Sequence, residues 1–153
     1  MQTVTTDLAF RRLQADILLD LQRIRHVTER RIDELLKDHE LDVTPAQANV
    51  LMTLFQSRHA MTARQLARDM QLSEVTVGRF VRALENGGWV ERERDPSDSR
   101  AILVGPTPKA RAALPRFIAV SNAIQDVAFA GLERQVVERI GTCTRRILEN
   151  LAD

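Results

Sequence analysis

The sequence predicts a mainly helical fold that carries one small β-hairpin. Three observations lead there. Apolar residues recur at three- and four-residue spacing over most of the 153 residues. Hydroxyl residues in helix-capping context stand at Thr44, Thr62, Ser73 and Thr107, with proline following the first and the last. Only one region switches to a period of two, around the polar cluster Asp95-Pro96-Ser97-Asp98-Ser99.

The first helix is expected from about Thr6 to His39. Phe10, Leu13, Ile17, Leu21, Ile24 and Val27 make its stripe, which Ile32, Leu35 and Leu36 continue. At about 30 residues it is longer than a small core can cover, so it is expected to pack on a partner helix. Asp38 to Val43 reads as a turn. Thr44-Pro45-Ala46-Gln47 then opens a second helix with a capping box, and Val50, Leu51, Leu54 and Phe55 form its apolar face. Thr62-Ala63-Arg64-Gln65 repeats the box and opens a short third helix through Met70. Gln71-Leu72 is a tight turn. Ser73 caps a fourth helix with Val77, Phe80, Val81 and Leu84 inward, ending near Asn86-Gly87-Gly88.

Two strands follow, Trp89 to Arg94 and Arg100 to Val104, joined by the polar turn cluster. Thr107-Pro108 opens a fifth helix lined by Leu114, Phe117, Ile118, Ile124 and Val127. Pro115 inside it is expected to kink it or to delay its first straight turn. Gly131 marks a break between helices. The last helix carries Leu132, Val136, Ile140, Cys143, Ile147 and Leu151, a seam for another helix.

Composition narrows the function. The chain holds 22 Lys and Arg against 21 Asp and Glu, so no global charge draws it to nucleic acid. From Thr62 to Val104 seven arginines meet seven acids, so any nucleic-acid binding there would have to rest on placement rather than bulk charge. The Arg excess over Lys fits bidentate recognition, and genomic base composition explains it equally well. No apolar run approaches the roughly 18 residues that span a membrane, and MQTVTTDLAFRRLQ lacks the features of a signal peptide. A cytoplasmic protein is expected. The single cysteine excludes an intramolecular disulfide framework.

Helix, short helix, tight turn, helix and hairpin is the order of a winged helix-turn-helix, in which the second helix of the pair enters a DNA major groove. The helix from Ser73 leaves Ser73, Glu74, Val75, Thr76, Arg79 and Arg82 outside. Ser and Thr suit phosphate or base edges, and Arg can fork onto guanine. The candidate DNA-contacting residues are Thr62, Arg64, Ser73, Glu74, Thr76, Arg79, Arg82, Asp98, Ser99 and Arg100. Glu74 is favoured more as a first-turn acid than as a cytosine reader.

The stretch Thr44 to Pro108 resembles the multiple antibiotic resistance regulator (MarR) family of bacterial transcription factors. The motifs that carry the likeness are TPAQANVL, TARQLARDMQLSEVTVGRFVRALENGGWVER and DPSDSRAILVGPTPKA. The flanking helices match by architecture. The resemblance implies a single domain, 1–153, with helices from 1–43 and 107–153 dimerising and 44–106 binding DNA. It implies a homodimer on a pseudo-palindromic operator, probing of the minor groove by Arg100, and orientation of Arg100 by Asp98. A hairpin pairing of Arg100 with Asp95 or Asp98 is the competing reading. It also implies a repressor released by a small aromatic acid or phenolic effector, with His26, Arg30, Met52, Phe55 and Phe117 as pocket candidates against ordinary packing. The chain departs from the family at Ser99, where a second basic residue is common, at Gly78, where a hydroxyl residue is common, and at Ala83, which replaces a frequent basic residue.

Other chemistries find less support. No catalytic constellation, cofactor motif or metal-ligand spacing stands out among His26, His39, His59 and Glu40. Cys143 lies in an apolar stripe and reads as a buried structural thiol rather than a redox sensor. A winged-helix module that binds protein instead of DNA is the alternative reading; the exposed Arg and Thr of the fourth helix argue against it.

Overall fold

A computed structural model describes residues 7–57 and 59–152. The order is α1 (Leu8–Asp38), α2 (Pro45–Gln56), β1 (Met61–Thr62), α3 (Ala63–Asp69), α4 (Glu74–Asn86), β2 (Val90–Arg94), β3 (Ile102–Pro106), α5 (Pro108–Ala128) and α6 (Arg134–Ala152). The expected helix start at Thr6 lies outside the described residues. Among the described residues no helix is long and apolar enough to cross a membrane.

Local chemistry sets the helix starts. Thr44 and Thr62 each accept the N–H three residues on, and Gln47 and Gln65 each accept the cap N–H in return. Ser73 Oγ accepts Thr76 N–H, and Thr107 Oγ1 accepts Ala110 N–H. Three helices end in the same wrap. Leu41, Leu72 and Trp89 donate their N–H groups to Leu36, Ala67 and Leu84, while Glu40, Gln71 and Gly88 take left-handed backbone at φ 55, 54 and 74°. At Gln71 a non-glycine residue makes this turn, and its side-chain Nε2 donates to the Arg68 carbonyl.

The core joins α2, α3, α4 and the sheet to the end of α1 and the first half of α5. Val50, Leu51, Leu66, Val77, Leu84, Val90, Val104 and Ala110 are fully enclosed. The sheet has three antiparallel strands in the order β1-β3-β2, with Met61 opposite Val104 and Arg92 opposite the same residue from the other side. The sequence reading has no counterpart to β1. It also places the second strand two residues early. Asp95 N–H donates to Ala101, and Ala101 N–H to Asp98, so Arg100 and Ala101 belong to the turn and pairing begins at Ile102.

Pro115 does not end α5, which runs through it to Ala128. Pro115 removes the N–H that Arg111 would bond, and both residues are exposed, so water can serve that carbonyl. α5 is tied to both neighbours. Thr107 Oγ1 donates to Gly88 O at 2.7 Å, and Lys109 Nζ donates to Gly87 O at 2.8 Å. Two turns later Arg116 donates to the His39 and Glu40 carbonyls at 3.0 and 3.3 Å.

The terminal helices are barely covered. Among the described residues α1 buries Leu36 alone, and α6 buries none. Leu13, Ile17, Ile24, Val136, Ile140 and Leu148 are all exposed. Cys143 is likewise exposed in the single chain, so this chain does not itself supply the burial expected of the thiol. The apolar stripe of α6 exists, but this chain supplies little to pack on it.

Candidate nucleic-acid interface

The site grows from α4 and the hairpin. One side of α4 is locked into the core by Val77, Val81 and Leu84. The opposite side presents Val75, Arg79 and Arg82 at helical spacing, all exposed. Arg79 and Arg82 form no ion pair among the described residues.

The hydroxyl residues are partly committed to the fold. The Oγ atoms of Ser73 and Thr76 lie 2.8 Å apart in a hydrogen bond, and Thr62 Oγ1 serves its own capping box. Glu74 Oε1 stands 3.6 Å from Arg64 Nε, bridging the first turns of α3 and α4. Both side chains are well exposed, so this pair contributes little to stability. Its effect is to neutralise two of the candidate contact residues against each other.

The wing is built around two aspartates. Asp95 Oδ1 accepts the N–H and the hydroxyl of Ser97, at 2.9 and 2.7 Å. Those bonds hold its carboxyl below the usual carboxylate range. Asp98 Oδ1 accepts the Arg100 N–H at 3.0 Å. Asp98 therefore holds the backbone of Arg100. The Arg100 side chain is exposed and makes no ion pair with Asp95 or Asp98. Ser99 is exposed beside it.

One ion pair links the wing to α4. Arg92 donates from Nε and Nη2 to the two oxygens of Glu85, both at 2.7 Å. The guanidinium holds the Glu85 carboxyl below its ordinary value, and the carboxylate raises Arg92. The root of the wing is a second joint. Trp89 is buried, meets Phe117 edge-on at 5.7 Å between ring centroids, and lies under Lys109 Nζ at 4.3 Å. That is the physical content of the Thr-Pro-Lys motif: Thr107 and Lys109 seize the carbonyls at the end of α4.

The residues considered for an effector pocket are not brought together. Met52 and Phe117 share a cleft of about 130 Å³ with Ile32, Leu36, Val120 and Ile124. Phe55 lines a different cleft, with His59, Val104 and Arg111. His26 lies in a shallow groove of α1, and Arg30 is exposed. Helix order alone did not reveal these separations. Val75, expected from the sequence to face outward, and Arg94 of β2 are both exposed.

A short bracing helix, a left-handed turn, an outward-facing second helix and a hairpin wing define a winged helix-turn-helix. Residues 43–102 match the MarR family model. The multiple antibiotic resistance protein MarR of Escherichia coli strain K12 is 30% identical over 89 residues, which are 57% of this chain and 61% of that protein. The match thus spans about three fifths of that relative. A MarR transcriptional regulator from Methanosarcina mazei Go1 superposes with a TM-score of 0.78 at 18% identity, covering 89% of this chain and 96% of that one. A MepR–DNA complex of S. aureus gives 0.77 at 21% identity, covering 85% and 94%. Residues 43–102 thus resemble the MarR family, and the whole described chain has the winged-helix fold of the MarR regulators it superposes on.

Proposed function

We propose that this chain is a sequence-specific DNA-binding transcriptional regulator acting as a homodimer in the cytoplasm. The observation that carries it is the outward side of α4 together with the wing tip: Arg79, Arg82 and Arg100 are exposed and free of ion pairs among the described residues. The S. aureus relative of the same fold was solved with DNA, which supports the reading. α4 enters the major groove, and Arg100 probes the neighbouring minor groove, where a narrow groove concentrates negative potential.

The dimer is formed by the ends of the chain, 1–43 and 107–153, and the lobe 44–106 faces DNA. The bare apolar sides of α1 and α6 support this, because their exposure is costly unless a second copy covers them. We further propose repression relieved by a small aromatic acid or phenolic effector, seated where α1, α2 and α5 meet near Met52 and Phe117. Such a ligand acts by favouring one relative placement of the two lobes.

The test is titration of duplexes from upstream of the chain's own gene, followed by fluorescence anisotropy over a salt series. Two copies per site and an affinity that falls with salt are expected. Failure to bind any such duplex as a dimer, at any salt, sinks the proposal.

A further inference from the structure

Resting on the DNA-binding reading above, we infer that Val75 is a specificity-determining residue that covers the methyl group of a thymine in each operator half-site, at a place where Gly78 lets the DNA approach the surface of α4 closely.

Two observations carry this, and neither serves the fold. Val75 is 74% exposed, the most exposed of the large apolar side chains described. It stands in a helix, where a β-branched residue loses rotamer freedom, so it gives up helix propensity without gaining any packing. Three residues on, and therefore adjacent on the helix surface, is Gly78. Glycine inside a helix costs up to about 1 kcal/mol relative to alanine. A Cβ added at Gly78 would meet nothing within 4 Å, so no neighbouring element requires the glycine. Exposed Val75 and half-buried Gly78 beside it thus both break the helix's local preferences, with no compensating contact among the described residues. Departures of that kind collect where a surface serves a partner.

The neighbours identify the contact. Ser73 and Thr76 bond to each other, and Glu74 faces Arg64. Of the first turn, Val75 alone has no partner of its own, with Arg79 one turn further along the same side. A major groove offers one apolar group to such a side chain, the C5 methyl of thymine. Side chains four apart on a helix are about 6 Å apart, and stacked bases about 3.4 Å. The thymine therefore lies within about two base pairs of the base that Arg79 faces.

The experiment uses the full chain and duplexes it selects from a random library. Each thymine is replaced in turn by deoxyuridine, which removes only the methyl, and binding is compared for the parent and Val75→Ala. Covering one methyl is worth about fourfold in affinity per half-site. One thymine per half-site is expected to show that loss in the parent and none in Val75→Ala, close to the position sensitive to Arg79→Ala. Gly78→Ala is expected to raise Tm by about 2–4 °C while weakening binding to the same duplex. If the parent selects a sequence but no thymine couples to Val75, the inference is wrong and the DNA-binding reading stands. If Gly78→Ala raises Tm with affinity intact, the close approach is wrong. If the parent selects and binds no duplex, the underlying reading itself fails.

Discussion

Arg92 and Glu85 face each other fork to fork, with two 2.7 Å hydrogen bonds joining a wing strand to the helix beside it. The pair uses up a cation that bulk charge counting would assign to DNA. It also makes the wing's position a function of one carboxylate. Because Glu85 is depressed in the folded chain, its contribution is fully present above its unfolded pKa and is lost as pH falls through the folded value. Glu85→Gln is expected to lower Tm at neutral pH, with the gap to the parent closing as pH drops below the ordinary glutamate range. Thermal melts of both chains over a pH series check this; a gap independent of pH would rule out the linkage.

Gly87 is required by the ring beneath it. A Cβ there would sit 2.9 Å from Trp89 Cδ1, while the φ of −79° suits any residue. Trp89 has little room to yield between Phe117 and Lys109. Gly87→Ala is expected to destabilise by about 1–3 kcal/mol, as overpacking does. Urea denaturation with an unchanged m-value is the measurement.

Lys109 combines a carbonyl contact with a cation above an indole. Lys109→Met keeps most of the stem and removes both. The expected loss is about 1 kcal/mol of stability, since the group is exposed. Arg in its place is expected to recover the ring contact better than the carbonyl contact.

Arg100 and Asp98 are expected to separate when mutated. Arg100→Ala removes an exposed side chain that forms no ion pair among the described residues, so Tm is expected to stay put while operator binding falls by about 1–3 kcal/mol. Asp98→Ala removes the acceptor of the Arg100 N–H and is expected to weaken binding as well, by loosening the turn. Asp98→Asn retains an acceptor oxygen and is expected to bind nearly as the parent. Paired melts and anisotropy titrations distinguish the three.

The bare helices give a prediction about assembly. Ile140→Asp places a charge in the exposed apolar row of α6 and is expected to yield monomer by sedimentation. The parent's melting point is expected to rise with protein concentration, and the variant's is not. Cys143 then reports coverage. It is exposed in the single chain, so maleimide labelling is expected to be slow in the parent and fast in the variant.

What was legible in the sequence follows the range of each interaction. The caps at Thr44, Thr62, Ser73 and Thr107 are contacts over three residues, and the sequence displays both partners. Strand β1 was not legible because two residues carry no period, and its pairing with Leu103 and Val104 crosses the whole lobe. The second strand was misplaced because Asp95 and Asp98 extend the turn through backbone bonds that composition does not show. The row of α6 was legible as apolar, but periodicity does not say which chain covers it, so the exposure of Cys143 in the single chain was not legible. The grouping of His26, Arg30, Met52, Phe55 and Phe117 needed cleft boundaries that only packing defines. The wing and α4 were read from motif and order, while the Arg92–Glu85 fork needed the distance across them.

α5 is pinned twice, to the end of α4 through Thr107 and Lys109 and to the end of α1 through Arg116. The pins lie about 10 Å apart along a continuous helix. A continuous helix held at two such points has the form of a crank, able to pass a tilt from one pin to the other without melting. In the proposed dimer, a ligand that shifted α1 against α5 would reach the end of α4 through these two pins, and the spacing of the paired α4 helices would follow.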